Sequence, residues 1–100
     1  MKALPCLALL LAPCLALGAA GDPHAGKAVA GVCVACHGPA GISGNPEWPN
    51  LAGQKGPYLA LQLRAFRDGG RQHPLMSPIA KGLSDADIDN LAAYFSGLKP

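Results

Sequence analysis

Cys33-Val34-Ala35-Cys36-His37, followed at once by Gly38, is the stretch of this chain whose residue types and spacing suit chemistry. Two thiols three positions apart, with an imidazole directly after the second, form the attachment pattern for c-type haem. The two cysteines add across the haem vinyl groups as thioethers, and the short spacer brings both sulfurs to one edge of the porphyrin. The adjacent histidine is then held beneath the iron, where a ring nitrogen can bind it. A redox dithiol, a structural disulfide and half of a zinc site are the competing readings of the cysteine pair. A thioredoxin-like dithiol needs a βαβ pattern, which the sequence does not display, and His24 and His73 are too far apart to supply a zinc ligand pair.

Haem iron with His37 on one side needs either an open position or a second ligand. Met76 is the candidate. It is the only methionine besides Met1, and it sits in a proline-flanked segment between Pro74 and Pro78 rather than in a helical stripe. A thioether favours ferrous iron and raises the reduction potential, as in electron-transfer cytochromes. His24 and His73 are the alternatives. His24 is too close along the chain to His37, within an expected helix, to reach the opposite face easily; His73, three residues before Met76, could reach it. With Met76 away from the iron, the chain reads instead as a haem enzyme or gas sensor.

The elements that position these residues come from a short chain. Its 100 residues allow one domain, and a formal charge of +2 without any basic run excludes a nucleic-acid signature. Met1-Lys2, an apolar stretch from Ala3 to Leu17 and the small residues Gly18-Ala19-Ala20 read as a secretory signal peptide over residues 1–20, cleaved near Ala20. The alternative is an uncleaved membrane anchor, which Pro5 and Pro13 weaken. Proline before Cys14 argues against a lipoprotein signal, so Cys6 and Cys14 leave with the leader. Export places the protein in the periplasm, where covalent haem attachment occurs. The remaining domain, residues 21–100, can bury only a marginal core, and a covalently held haem would serve as its staple.

Along that domain, Asp22 and Pro23 start a helix running from His24 to about Val34, with Gly26 and Ala30 one turn apart for close packing. Residues 38–56 are rich in Gly and Pro and form a long ordered loop, whose large apolar residues Trp48 and Leu51 can cover a haem face or edge. Pro57 starts a helix with Leu59, Leu63 and Phe66 as its inward stripe, ended by Gly69. Residues 71–82 read as irregular. Ser84 and Asp87 then form a capping-box pair for a final helix with Ile88, Leu91, Ala92 and Phe95 facing inward. Arg64, Arg67 and Arg71 read either as a solvated face or as a docking patch or propionate contact.

In combination, Cys33 to Gly38, Pro49-Asn50-Leu51-Ala52-Gly53-Gln54, Tyr58-Leu59 with Gln62-Leu63 and Phe66, Gly70-Arg71, Met76, and Leu83-Ser84-Asp85 through Leu91 to Phe95 resemble class I c-type cytochromes of the small bacterial kind. That type also forms each half of periplasmic dihaem cytochromes. The resemblance spans roughly residues 24–98. It implies an all-α cytochrome c fold of three to four helices, with long Gly/Pro-rich loops wrapped around one covalently bound haem c. It also implies that the first and last helices cross, with Gly26 and Ala30 against Tyr94 or its neighbours. The Pro49 carbonyl is then expected to accept a hydrogen bond from the His37 ring. Ala30 departs from the aromatic residue many relatives carry at the crossing.

The expected function is a periplasmic one-electron carrier, not an enzyme, shuttling electrons between redox partner proteins such as a dehydrogenase or reductase donor and an oxidase or reductase acceptor. Cys33 and Cys36 attach the haem, His37 and Met76 bind its iron, and Pro49 and Leu51 line its pocket. Docking is expected at the haem edge, with weak steering from Lys55, Arg64, Arg67, Arg71 and Lys81 against the acidic start of the last helix.

Overall fold

Asp22 accepts a hydrogen bond from the His24 N–H at 2.9 Å and Pro23 takes the first helical position, so the chain enters helix α1, Pro23–Val29, as its sequence dictates. The computed structural model describes residues 21–100. The expected signal peptide and the alternative anchor, with Cys6 and Cys14, lie outside the described residues. Among the described residues there are five helices and no strand: α1, then α2 Gly31–His37, α3 Gly56–Asp68, α4 Met76–Lys81 and α5 Asp85–Ser96.

Two of these elements differ from the sequence expectation. The single helix expected from His24 to about Val34 is two helices jointed at Ala30, and the second continues to His37. Gly31, which has no side-chain packing partner within reach, sits directly after the joint, where a helix is weakest. The segment 71–82, expected to be irregular, contains α4. Met76 is therefore the first residue of a short helix rather than a loop residue. Pro78 does not prevent this, because the N–H groups of a first helical turn have no intrahelical acceptor to lose.

The other boundaries follow local chemistry. Gly69 ends α3 at φ 96°, in the left-handed region. Ser84 and Asp87 cap α5 reciprocally, at 3.0 Å for Asp87 N–H to Ser84 Oγ and 3.1 Å for Ser84 N–H to Asp87.

Helix α5 is the hub. It packs against α1 on one side and α3 on the other, and α4 leans on α3. Its Ile88 and Leu91 are fully buried, and Leu91, Ala92 and Phe95 join Ala30 and Leu59 in the core. The α1–α5 crossing has no room for a side chain at residue 26. A Cβ there would overlap the Asn90 carbonyl and lie 2.8 Å from Tyr94 Cβ. Asn90 adds a hydrogen bond of 2.8 Å from the Asp22 N–H to its side-chain oxygen.

The expected contrast between a basic cluster and an acidic helix start is reduced, because two of the five basic residues pair with acidic ones. Arg64 reaches Asp89 at 3.1 Å and Asp85 at 3.6 Å, and Arg67 reaches Asp85 at 2.7 Å and Asp68 at 2.8 Å. These pairs tie α3 to the first turn of α5. The hydrogen bond from Arg67 holds the Asp85 carboxyl below its ordinary value. Arg71 stands apart: its guanidinium lies 4.5 Å from the Phe66 ring centroid and donates to Gln62 at 2.7 Å.

Two outcomes are expected. Gly26→Ala should lower stability by about 1–3 kcal/mol in denaturant unfolding of the haem-bound protein, while Gly31→Ala, where a Cβ meets open space, should be neutral or stabilising by up to about 1 kcal/mol. Because the Asp85 carboxyl is depressed in the folded state, its contribution is fully present above the ordinary value of 3.8 and is lost as pH falls through the lower folded value. Asp85→Asn should therefore reduce the melting temperature at neutral pH and flatten its acid limb, and salt should shrink the difference between the two proteins.

Candidate functional site

Cys33, Cys36 and His37 occupy α2, and the end of that helix is engineered by Gly38. Gly38 closes α2 with a hydrogen bond of 3.0 Å to the Val34 carbonyl and turns the chain away at φ 93°. A Cβ at this position would collide with the Ile42 carbonyl, so only glycine lets the loop fold back directly after His37.

The loop is fastened across its base. The Gly41 carbonyl accepts from Leu51 and Ala52 at 2.8 and 3.0 Å, and the Ser43 N–H donates to Asn50 at 2.7 Å. This fastening presents the Pro49 carbonyl to His37, whose Nδ1–H donates to it at 2.7 Å. A carbonyl can only accept, so the His37 proton sits on Nδ1 and Nε2 carries a free lone pair. His37 is 7% exposed, the only buried polar side chain among the described residues. No hydrogen bond reaches its Nε2 among those residues. A buried lone pair without a partner is costly unless something binds it.

His37 borders a cavity. His37, Cys33, Cys36, Pro49, Leu51 and Met76, which come from three separate segments, all line one cavity of about 360 Å³. Its remaining walls are largely apolar: Leu59, Leu63 and Phe66 from α3, and Leu91, Ala92 and Phe95 from α5. Trp48 also lines it, in keeping with the expected role as a cover, and is half-buried. A chamber of this size leaves the apolar packing of a small domain unfinished, and a large apolar group seated in it would complete that packing. Two free thiols, an uncommitted imidazole nitrogen and a thioether in an apolar chamber fit haem. Burial pushes the Cys33 thiol up from its ordinary value, because an apolar chamber disfavours the charged thiolate.

His73 and His24 separate clearly. His24 is exposed on α1 and does not line the cavity. His73 does line it, but its Nδ1 accepts from the Leu75 N–H at 3.1 Å and the Met76 N–H at 3.4 Å. A neutral ring with Nδ1 accepting carries its proton on Nε2. His73 thus has no lone pair left for iron, and its tautomer is the opposite of that of His37.

Leu75 and Ile79, on either side of Met76, also line the cavity and were not anticipated from sequence. The available signal was the spacing of Met76, Ile79, Ala80 and Leu83, which is helical. No helix among the described residues is long and apolar enough to cross a membrane.

Comparison with known proteins identifies the family. The family described as Cytochrome c matches residues 23–99. Cytochrome c-554(548) of Halomonas halodenitrificans is 50% identical over 80 residues, covering 77% of this chain and 96% of that protein. Cytochrome c4 of Pseudomonas aeruginosa is 47% identical over 81 residues, covering 81% of this chain, but this chain spans only 40% of its length. A crystal structure of reduced recombinant cytochrome c4 from Pseudomonas stutzeri superposes with a TM-score of 0.77 at 42% identity, over 80% of this chain and 47% of that one. The chamber around His37 and these likenesses have one explanation: the chain belongs to the cytochrome c family, whose all-α fold carries covalently bound haem c for electron transport.

Proposed function

We propose that the protein is a periplasmic one-electron carrier. Residues 1–20 act as an export signal removed near Ala20, leaving residues 21–100 as the cytochrome domain. Cys33 and Cys36 would hold the haem as thioethers, His37 and Met76 would bind its iron, and Pro49 and Leu51 would complete the pocket. The observation that carries this reading is that His37, its Nδ1 committed to the Pro49 carbonyl, lines the same cavity as Met76, while the Nδ1 of His73 is committed to backbone N–H groups.

When bound, haem c supplies a one-electron iron couple. The residues of the chain set the conditions for it. The Pro49 carbonyl fixes the orientation and tautomer of His37 and makes its ring a better donor. As an iron ligand, the Met76 thioether would favour the ferrous state and compete with any substrate or gas, so the protein would exchange electrons without transforming a molecule. The apolar walls from α3 and α5 would limit the access of water to the haem.

Partner proteins supply and remove the electron. A thiosulfate dehydrogenase electron acceptor of Thiomonas intermedia is 53% identical over 70 residues, covering 68% of this chain, with this chain spanning 32% of its length. That likeness supports a redox enzyme as donor. Weak steering falls to Lys55, Arg71 and Lys81, since Arg64 and Arg67 are already paired.

Met76→Ala should remove the ferric absorption band characteristic of methionine–iron ligation, lower the reduction potential and let ferrous protein bind carbon monoxide. Unchanged spectra would place the sixth ligand elsewhere. Protein carrying Cys33→Ala and Cys36→Ala, which cannot attach haem, should show no cooperative thermal transition by circular dichroism; a cooperative transition would mean that the helices fold around an empty chamber.

A further inference from the structure

Helix α4 has six residues, far too few to hold its shape alone. Its N-cap residue, Leu75, makes no capping hydrogen bond through its side chain. The residue at the start of α4 is Met76, so whatever holds this end also holds the thioether.

His73 holds it, through four hydrogen bonds within one turn. Its Nδ1 accepts from the Leu75 and Met76 N–H groups at 3.1 and 3.4 Å. Its own N–H donates to Ser77 Oγ at 2.9 Å, and its carbonyl accepts from the Ser77 N–H at 3.0 Å. The ring also stands edge-on to Phe66, with centroids 6.5 Å apart and planes at 77°. Phe66 is a buried residue of α3, so this edge contact ties the turn to the core.

We propose that His73 is a positioning residue for the iron ligand: it caps α4 through an imidazole acceptor and thereby keeps Met76 in the haem chamber. The inference rests on Met76 being that ligand. Free backbone N–H groups at the first turn of a helix need an acceptor, and side chains that supply one stabilise the turn. Here the acceptor is a ring nitrogen rather than the usual oxygen, so the same side chain can also pack against Phe66. Loss of the acceptor frees two N–H groups beside the thioether and loosens the arm that carries it.

Two variants separate the acceptor from the ring. His73→Asn keeps an acceptor at nearly the position of Nδ1 and loses the ring. His73→Phe keeps the edge contact with Phe66 and loses the acceptor. The measurement is the affinity of the ferric protein, with haem attached, for added imidazole, which competes with the methionine sulfur, together with the methionine–iron absorption band. The expected result is that His73→Phe binds imidazole roughly tenfold more tightly than wild type, the equivalent of about one hydrogen bond, with a weakened band, while His73→Asn stays within about twofold of wild type. Equal affinities in wild type and His73→Phe, or equal loosening in both variants, would overturn the proposal. A wild-type protein without the methionine–iron band would instead overturn the assignment of Met76, and that result is read before either variant. Should His73→Phe fail to accumulate with haem, Ser77→Ala, which removes the reciprocal contact to the His73 N–H, should still raise imidazole affinity above wild type; an unchanged value there overturns the proposal.

Discussion

The hydrogen bond from His37 Nδ1 to the Pro49 carbonyl, 2.7 Å long, is the constraint on which the site depends. It decides which nitrogen of the ring is free, and so whether the buried imidazole can bind iron at all. The bond in turn depends on backbone that only particular residues can form. Gly38 must take a positive φ for the chain to reverse after α2, and the Gly41 carbonyl must gather Leu51 and Ala52 for the loop to close. A loop without regular structure thus does the work of a rigid element, because its own hydrogen bonds over-determine it.

Around this bond α2 and α4 carry the cysteines, His37 and Met76, and α3 and α5 supply mainly apolar walls. The buried core is small, made mainly of Ala30, Leu59, Leu91, Ala92 and Phe95. Four of these, Leu59, Leu91, Ala92 and Phe95, also line the chamber. Core and cofactor site are therefore one structure with two sides, and a group filling the chamber completes the packing that the chain leaves unfinished.

Much of this was legible in sequence where local chemistry decides the outcome. The caps at Asp22, Ser84 and Gly69 act within a few residues, and the inward stripes of α3 and α5 follow helical periodicity. What sequence did not disclose arises from competition or from distance. Pro74 and Pro78 signalled an irregular segment, yet a proline in a first helical turn forfeits no bond, so α4 forms through residue 76. The joint at Ala30 reflects weak helix propensity beside Gly31, which marks fragility but not the place of a break. Arg64 and Arg67 looked like a free basic face because Asp85 and Asp89 lie about twenty residues onward, and only the packing of α3 on α5 brings them together. The opposite tautomers of His37 and His73 depend on which backbone groups approach each ring, a property that residue type alone does not encode.

The glycine at the crossing of α1 and α5 bears on how the fold is reached. Gly26 meets Asn90 and Tyr94, so the earliest and latest described helices must find each other across most of the domain. Contacts of such sequence separation raise the contact order, and the entropy of closing so long a loop is lost before any packing repays it. The helical content of this chain would suggest a fast folder. Its topology instead puts the decisive encounter late, with α2 and its cysteines inside the loop that the encounter closes.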